Sequence, residues 1–530
     1  MPSAGFLKES SLPQYLRKEQ DRIETVARES GLDFFPTVFE ILSYDRLNEI
    51  AAYGGFPTRY PHWRFGMEYE RLSKSYEYGL SKIYEMVINT NPAIAYLLEG
   101  NSLTDQKLVM CHVYGHVDFF KNNFTFRSTD LDTFGQWIPT QPQSGSGYTP
   151  NRRWIDKMAN HGSVVRRLSA RHGVENIETF IDACLSLENL IDPHGAFVRR
   201  SEPEPPKKTS FEEEAPQLVE PEVPRLRSKS YMENFINPEE IMRSERERMK
   251  KEAAEKKEKF PKEPRKDVLQ FLIESAPLEK WERSVLTIIR DEAHYFLPQM
   301  QTKIMNEGWA SYHHSKLMTT KIADWGDIIE YADNNAGVMA TSGRNLNPYK
   351  LGVELFRHIE ERWDKGQFGR QWDECDDLDE RRHWDLRLGL GKKKIFEVRA
   401  HYNDVTFLDE FLTPEFASEQ GMFNFEWSER RGGFEIATRE FNKVKQKLLG
   451  QLTNAGNPMI RVLDANFGNR GELLLEHEHH GVDLRVDYAE RVLEALVRVW
   501  KRPVLVATSV DDKAMHLRFD GREHSRVAVS

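Results

Sequence analysis

The sequence predicts a mainly α protein: a large helical domain, then a small C-terminal α/β or α+β domain. Three observations carry this. Residues 1 to about 197, and again 264–385, place apolar side chains at helical spacing. After about 386 the pattern turns to short apolar runs, Met459–Leu463, Leu473–Leu475 and Val504–Ala507, broken by Gly468, Gly471 and Gly481 around one helical stretch, Tyr488–Trp500. Finally, 530 residues exceed what one core ordinarily serves, so two or three domains are expected.

Residues 1–197 read as helices punctuated by aromatic-rich loops. Leu80, Tyr84, Val87 and Ile88 recur at helical spacing, with Pro92 as a stop. A turn-rich stretch, Thr140–Arg153, separates two helical parts. Residues 198–263 form an insert. In Ser201–Ser230 proline and glutamate dominate, and too little apolar surface exists to offset the entropy of ordering. Pro238–Lys259 has helical propensity but almost no apolar stripe, which suits a solvated helix better than a basic arm. Residues 264–385 form the second helical part and 386–530 the C-terminal domain.

Composition narrows the function classes. A net charge of −10 disfavours general nucleic-acid binding, which needs clustered Lys and Arg; Lys250–Lys262 has no interleaved aromatics. No stretch approaches the roughly 18 apolar residues of a membrane span. The first twenty residues hold no signal-peptide core. Cys111, Cys184 and Cys375 are scattered, which suits a reducing compartment, so a cytoplasmic location is expected and the sequon at Asn123 is a chance match.

Three segments concentrate chemistry. In Leu108–Phe120, His112 and His116 stand one turn apart on a helix face shared with Leu108 and Phe119. Thr104 or Asp105 can cap that helix. Gly115 costs about 1 kcal/mol against alanine, which makes sense if something must approach closely. His-x3-His on a helix is the zincin geometry for binding Zn(II), although Val113 stands where zincins carry their general base. Two such histidines also serve as hydrogen-bonded core residues. In Trp281–Pro298, Glu292 interrupts an apolar stripe that includes Tyr295, so it must be neutral, ion-paired or metal-bound. The letters Asp291-Glu292-Ala293-His294 suggest a helicase, but no phosphate-binding GxxxxGK[ST] loop precedes them, and Gly389–Lys394 lacks the spacing. In Met300–Met318, opening after Pro298, Glu307 and His314 lie two turns apart on one face, and Gly308 permits close backbone contact. Arg127 and Arg290 suit salt bridges better than anion sites, and Trp309 and Tyr312 suit the core. His161, His172 and His194, read as loop or helix-end residues, receive no role.

The runs HVYGHVDFFKNNFTF (112–126), RDEAHYFLPQMQTKIMNEGWASYHH (290–314), NPAIAYLL (91–98) and YDRLNEIAAYGGFPTRYPHWR (44–64) resemble signatures of the SpoVR-like (stage V sporulation protein R) family, over about residues 10–195 and 265–430. The resemblance implies a cytoplasmic protein linked in spore formers to cortex assembly. It also implies a PrkA-type serine kinase and a von Willebrand-like companion as partners. The stretch near 198–230 looks like an insertion. A more distant similarity, of HxxGH with EGWASY to the HExxPGH and EGWA pair of gluzincin-like peptidases, implies a zincin-like helix arrangement with His112, His116 and Glu307 as ligands of Zn(II), or alternatively Fe or Mn. The expectation is a metal-dependent hydrolase of peptide or amide bonds, with Glu292 as base and His314 or Tyr295 stabilising the oxyanion. The alternative is a non-catalytic metal-binding or structural partner of the kinase system.

Overall fold

The computed structural model describes residues 12–77, 85–131, 151–195, 243–244, 247–248, 260–340, 346–428 and 433–528. The Pro/Glu-rich stretch, nearly all of the charged stretch after it, most of Thr140–Arg153, and Leu80 and Tyr84 lie outside those residues. Helices dominate what is described. The chain divides into two compact units: Met1–Glu178 with Asp291–Asn457, and Thr179–Arg290 with Pro458–Ser530.

In the first unit, strands β1 (Thr37–Leu42), β2 (Glu85–Ile88) and β3 (Ala93–Leu98) form a sheet ordered β1-β3-β2. β1 runs parallel to β3 and β2 antiparallel. The helical spacing around residue 88 is overridden here: Val87 and Ile88 pair with Ala95 and Ile94. Their β-branched side chains suit a pleated strand, and β3 supplies a partner that local periodicity cannot reveal. A further hairpin joins β4 (Asn424–Ser428) and β5 (Gly433–Thr438).

Helix Leu103–Asn122 runs through the core of this unit. Val109, Met110, Cys111, Val113, Tyr114, Val117 and Phe119 are all buried, so apolar residues occur on every side of it, as in a central helix. Its N-cap is Ser102, whose hydroxyl accepts the Asp105 N–H at 3.0 Å, and not Thr104 or Asp105. Asp105 instead accepts from the Asn334 amide at 2.6 Å.

Helix Lys303–Leu317 packs against it, and helix Pro348–Lys365 packs in turn against Lys303–Leu317. Helix Lys280–Gln301 continues through Pro298, so the next helix starts at Lys303, later than the sequence suggests. The break sits at Thr302, whose hydroxyl donates to the Pro298 carbonyl at 2.7 Å. Helix Lys303–Leu317 is capped from a distance, since Asp404 accepts the N–H groups of Ile304 and Met305 at 2.8 and 2.9 Å. Helix Pro348–Lys365 opens with Asn347 accepting the Lys350 N–H and ends at Gly366. Glycines set the approach of the three: a Cβ on Gly115 would stand 2.7 Å from Ala310 Cα, and Gly308 and Gly352 face each other backbone to backbone. Trp309 and Tyr312 are core residues, as expected.

The second unit carries a five-stranded sheet of β6 (Ile460–Phe467), β7 (Glu472–His477), β8 (Val504–Val510), β9 (Lys513–Phe519) and β10 (His524–Ala528), ordered β10-β9-β8-β7-β6. Only β7 and β8 pair in parallel, and helix Val486–Trp500 joins them, burying Leu493, Leu496, Val499 and Trp500. The sequence-based boundary at 386 falls too early. Helices Gly391–His401, Asp404–Phe411, Pro414–Glu419 and Phe441–Leu452 belong to the first unit, and the sheet-bearing segment begins at Pro458. Arg290 makes the structural ion pair its type suggests, to Asp267 at 2.6 Å.

Candidate metal centre

The close helix contacts bring His112, His116 and Glu307 together within the first unit. Glu307 Oε2 lies 3.6 Å from His112 Nε2 and 3.5 Å from His116 Nε2. One ligand atom from each of the three lies within 4.8 Å of the others. Metal–ligand bonds of about 2.1 Å in tetrahedral geometry place ligand atoms about 3.4 Å apart, so the two carboxylate–imidazole distances match the edge expected around a first-row divalent ion. Both imidazoles are buried, and so is the Glu307 Oε2 that faces them, although the Glu307 side chain as a whole keeps 20% exposure.

Other side chains complete the surroundings. His116 Nδ1 lies 2.9 Å from Asn306 Oδ1. His112 Nδ1 lies 2.8 Å from His314 Nδ1, and His314 Nε2 lies 3.3 Å from Asn335 Oδ1. The Tyr349 ring stacks on His112 at 6.3 Å, and its hydroxyl donates to Glu307. Burial, reinforced by His112, lowers the His116 pKa to about 4. Burial, with His112 and His116 adding, lowers that of His314 to about 3. Burial pushes Glu307 upward, but His112, His116 and the Tyr349 hydroxyl outweigh it and hold the carboxyl below its usual value. At neutral pH His116 and His314 are therefore uncharged and Glu307 is ionised, as a metal site requires of an imidazole and a carboxylate.

Glu292 and Tyr295 are placed elsewhere. Both Glu292 oxygens are engaged, Oε2 by Arg59 at 2.5 Å and Oε1 by His161 Nδ1 at 3.0 Å. Burial opposes ionisation, but Arg59 and His161 hold the Glu292 pKa below its ordinary value. Of the three fates open to a carboxylate in an apolar stripe, ion pairing is the one realised, and it leaves no oxygen free to act as a base. Tyr295 packs among Phe56, Trp154 and Phe296, and its hydroxyl donates to the Asn89 carbonyl at 3.4 Å. His314 does reach the cluster, but as a hydrogen-bond partner of His112. His161, read as a loop or helix-end residue, lies inside helix Trp154–His172 and is buried.

Sequence reasoning missed Asn306, Asn335 and Tyr349. A signal existed for the first two: asparagine inside a helix costs roughly 0.7 kcal/mol against alanine and needs compensation elsewhere. Tyr349 carries no comparable mark.

The family comparisons divide the chain at residues 457 and 458, where the sheet-bearing segment begins. Residues 11–457 match the family described as SpoVR like protein, and residues 458–511 match the SpoVR-like C-terminal domain. The chain belongs to the SpoVR-like family. It is 27% identical over 524 residues to "Uncharacterized protein YcgB" of Escherichia coli (strain K12), covering 93% of this chain and 92% of that protein. No solved structure matches, so the zincin-like part of the expected fold has no structural relative behind it.

Proposed function

We propose that the protein is a metalloprotein with His112, His116 and Glu307 as ligands, and that its activity is metal-dependent hydrolysis of a peptide or amide bond. One observation carries the reading: donor atoms from three side chains on two helices converge, with Glu307 Oε2 at tetrahedral-edge distance from both imidazole nitrogens. A Zn(II) ion held there supplies Lewis acidity and an activated water at neutral pH; Fe or Mn fits the same donor set less well. The chain's own residues supply the remainder. Tyr349 donates its hydroxyl proton to Glu307 and so holds that carboxylate in place as a ligand. His314 orients His112.

The locked Glu292 and the apolar Val113 favour a second reading, in which the metal is kept and catalysis is absent. The protein then serves as a metal-binding partner of a PrkA-type kinase system in the cytoplasm. Incubating the zinc-loaded protein with a peptide and amide library, with and without chelator and beside Glu307→Gln, separates the two. Chelator-sensitive cleavage lost in the variant supports hydrolysis. Stoichiometric zinc without cleavage leaves the binding role.

A further inference from the structure

We propose that Asn306 and Asn335 are positioning residues that fix the tautomers of His116 and His112, so that both Nε2 lone pairs face Glu307. The purpose of this device rests on the metal reading above, but the tautomer pattern itself is measurable without metal.

A neutral imidazole carries one N–H and one lone pair. An amide oxygen only accepts, so Asn306 Oδ1 at 2.9 Å from His116 Nδ1 places the proton on Nδ1 and leaves Nε2 bare. For His112 the same logic passes through one more ring. Asn335 Oδ1, at 3.3 Å, accepts from His314 Nε2–H, so His314 Nδ1 is a lone pair. His112 Nδ1, at 2.8 Å, must then donate to it, and His112 Nε2 is bare as well. All three rings are buried, so bulk water does not compete for these nitrogens.

The opposite pattern turns both amides, puts N–H on both Nε2 atoms and aims them at Glu307 as a closed polar network. Such charge-assisted N–H···O bonds run to about 2.7–2.9 Å. The observed 3.5 and 3.6 Å are too long for that and match the edge of a coordination tetrahedron. Acceptors facing acceptors at this range repel, and a cation between them removes the repulsion. Asn306 precedes Glu307 on the same helix, so ligand and positioning residue are set by one stretch of backbone.

The test uses metal-free, full-length protein with 15N-labelled histidine and long-range 1H–15N correlation spectra, assigned with single His→Gln variants. Nδ1–H on His112 and His116, with Nε2–H on His314, is expected. Nε2–H on His112 and His116 overturns the proposal. Zinc affinity, read by competition with a chromophoric chelator, should fall about 10–100-fold in Asn306→Leu and Asn335→Leu. Asn306→Asp keeps an acceptor and should stay within a few fold of wild type; equal losses in Asn306→Leu and Asn306→Asp also overturn it. If the wild type shows the expected tautomers yet takes up no zinc, the metal reading fails and the tautomer assignment stands.

Discussion

Replacing Gly308 with alanine tests the helix contact that brings the site together. A Cβ on Gly308 would overlap the Cα and carbonyl carbon of Gly352 and stand 3.0 Å from Val353 N. Carbon atoms in contact prefer about 3.5–4.0 Å, so the helices must separate by about 1 Å. Both surfaces are backbone, so no side-chain rotation relieves the overlap. Overpacking of this kind costs about 3 kcal/mol at the upper end of its range. Alanine in place of a helical glycine returns about 1 kcal/mol of propensity, leaving a net loss of about 2 kcal/mol. Gly337 is the control: it is helical, nothing lies within 4 Å of its Cβ position, and Gly337→Ala should stabilise by up to about 1 kcal/mol. Urea unfolding of both variants gives the numbers, and zinc affinity should weaken in Gly308→Ala because Glu307 moves with the backbone. A Gly308→Ala protein at least as stable as wild type refutes the close-contact argument.

Other perturbations separate structure from chemistry. Arg59→Leu leaves Glu292 buried without its main partner and should cost about 3–5 kcal/mol by chemical unfolding, with metal content unchanged. Loss of metal in a folded Arg59→Leu protein would return Glu292 to the site. Burial raises Asp404 to about 7, against the N–H groups of Ile304 and Met305, which lower it. The folded state therefore binds this proton more tightly than the unfolded state, and stability falls as pH rises from about 4 to 7. Asp404→Asn, which does not titrate, should lose that part of the slope; parallel stability curves for the two proteins would remove Asp404 as its source.

The sheet-bearing C-terminal unit was readable because Leu473–Leu475 and Val504–Ala507 are short apolar runs flanked by glycine turns, and they became β7 and β8. The N-terminal sheet was not. Ala93–Leu98 is a continuous apolar run that suits a buried helix equally well, and Val87 and Ile88 fell by chance on a helical period. At the site, His112 and His116 were readable because one helical turn fixes their relation. Glu307 came with its motif. Glu292 was readable as a carboxylate needing a partner, but Arg59 and His161 lie 233 and 131 residues away in sequence, and no local pattern points to them. Asn335 and Tyr349 come from still other helices, so only tertiary packing reveals them.

Metal content tests the convergence of His112, His116 and Glu307 most directly. Elemental analysis of freshly purified protein should find close to one equivalent of a first-row metal, zinc foremost. His112→Ala, His116→Ala and Glu307→Gln should each lose it, while Glu292→Gln and Tyr295→Phe keep it. Metal retained in all three ligand variants, or no metal taken up by wild type supplied with zinc, would contradict the convergence of these residues on an ion.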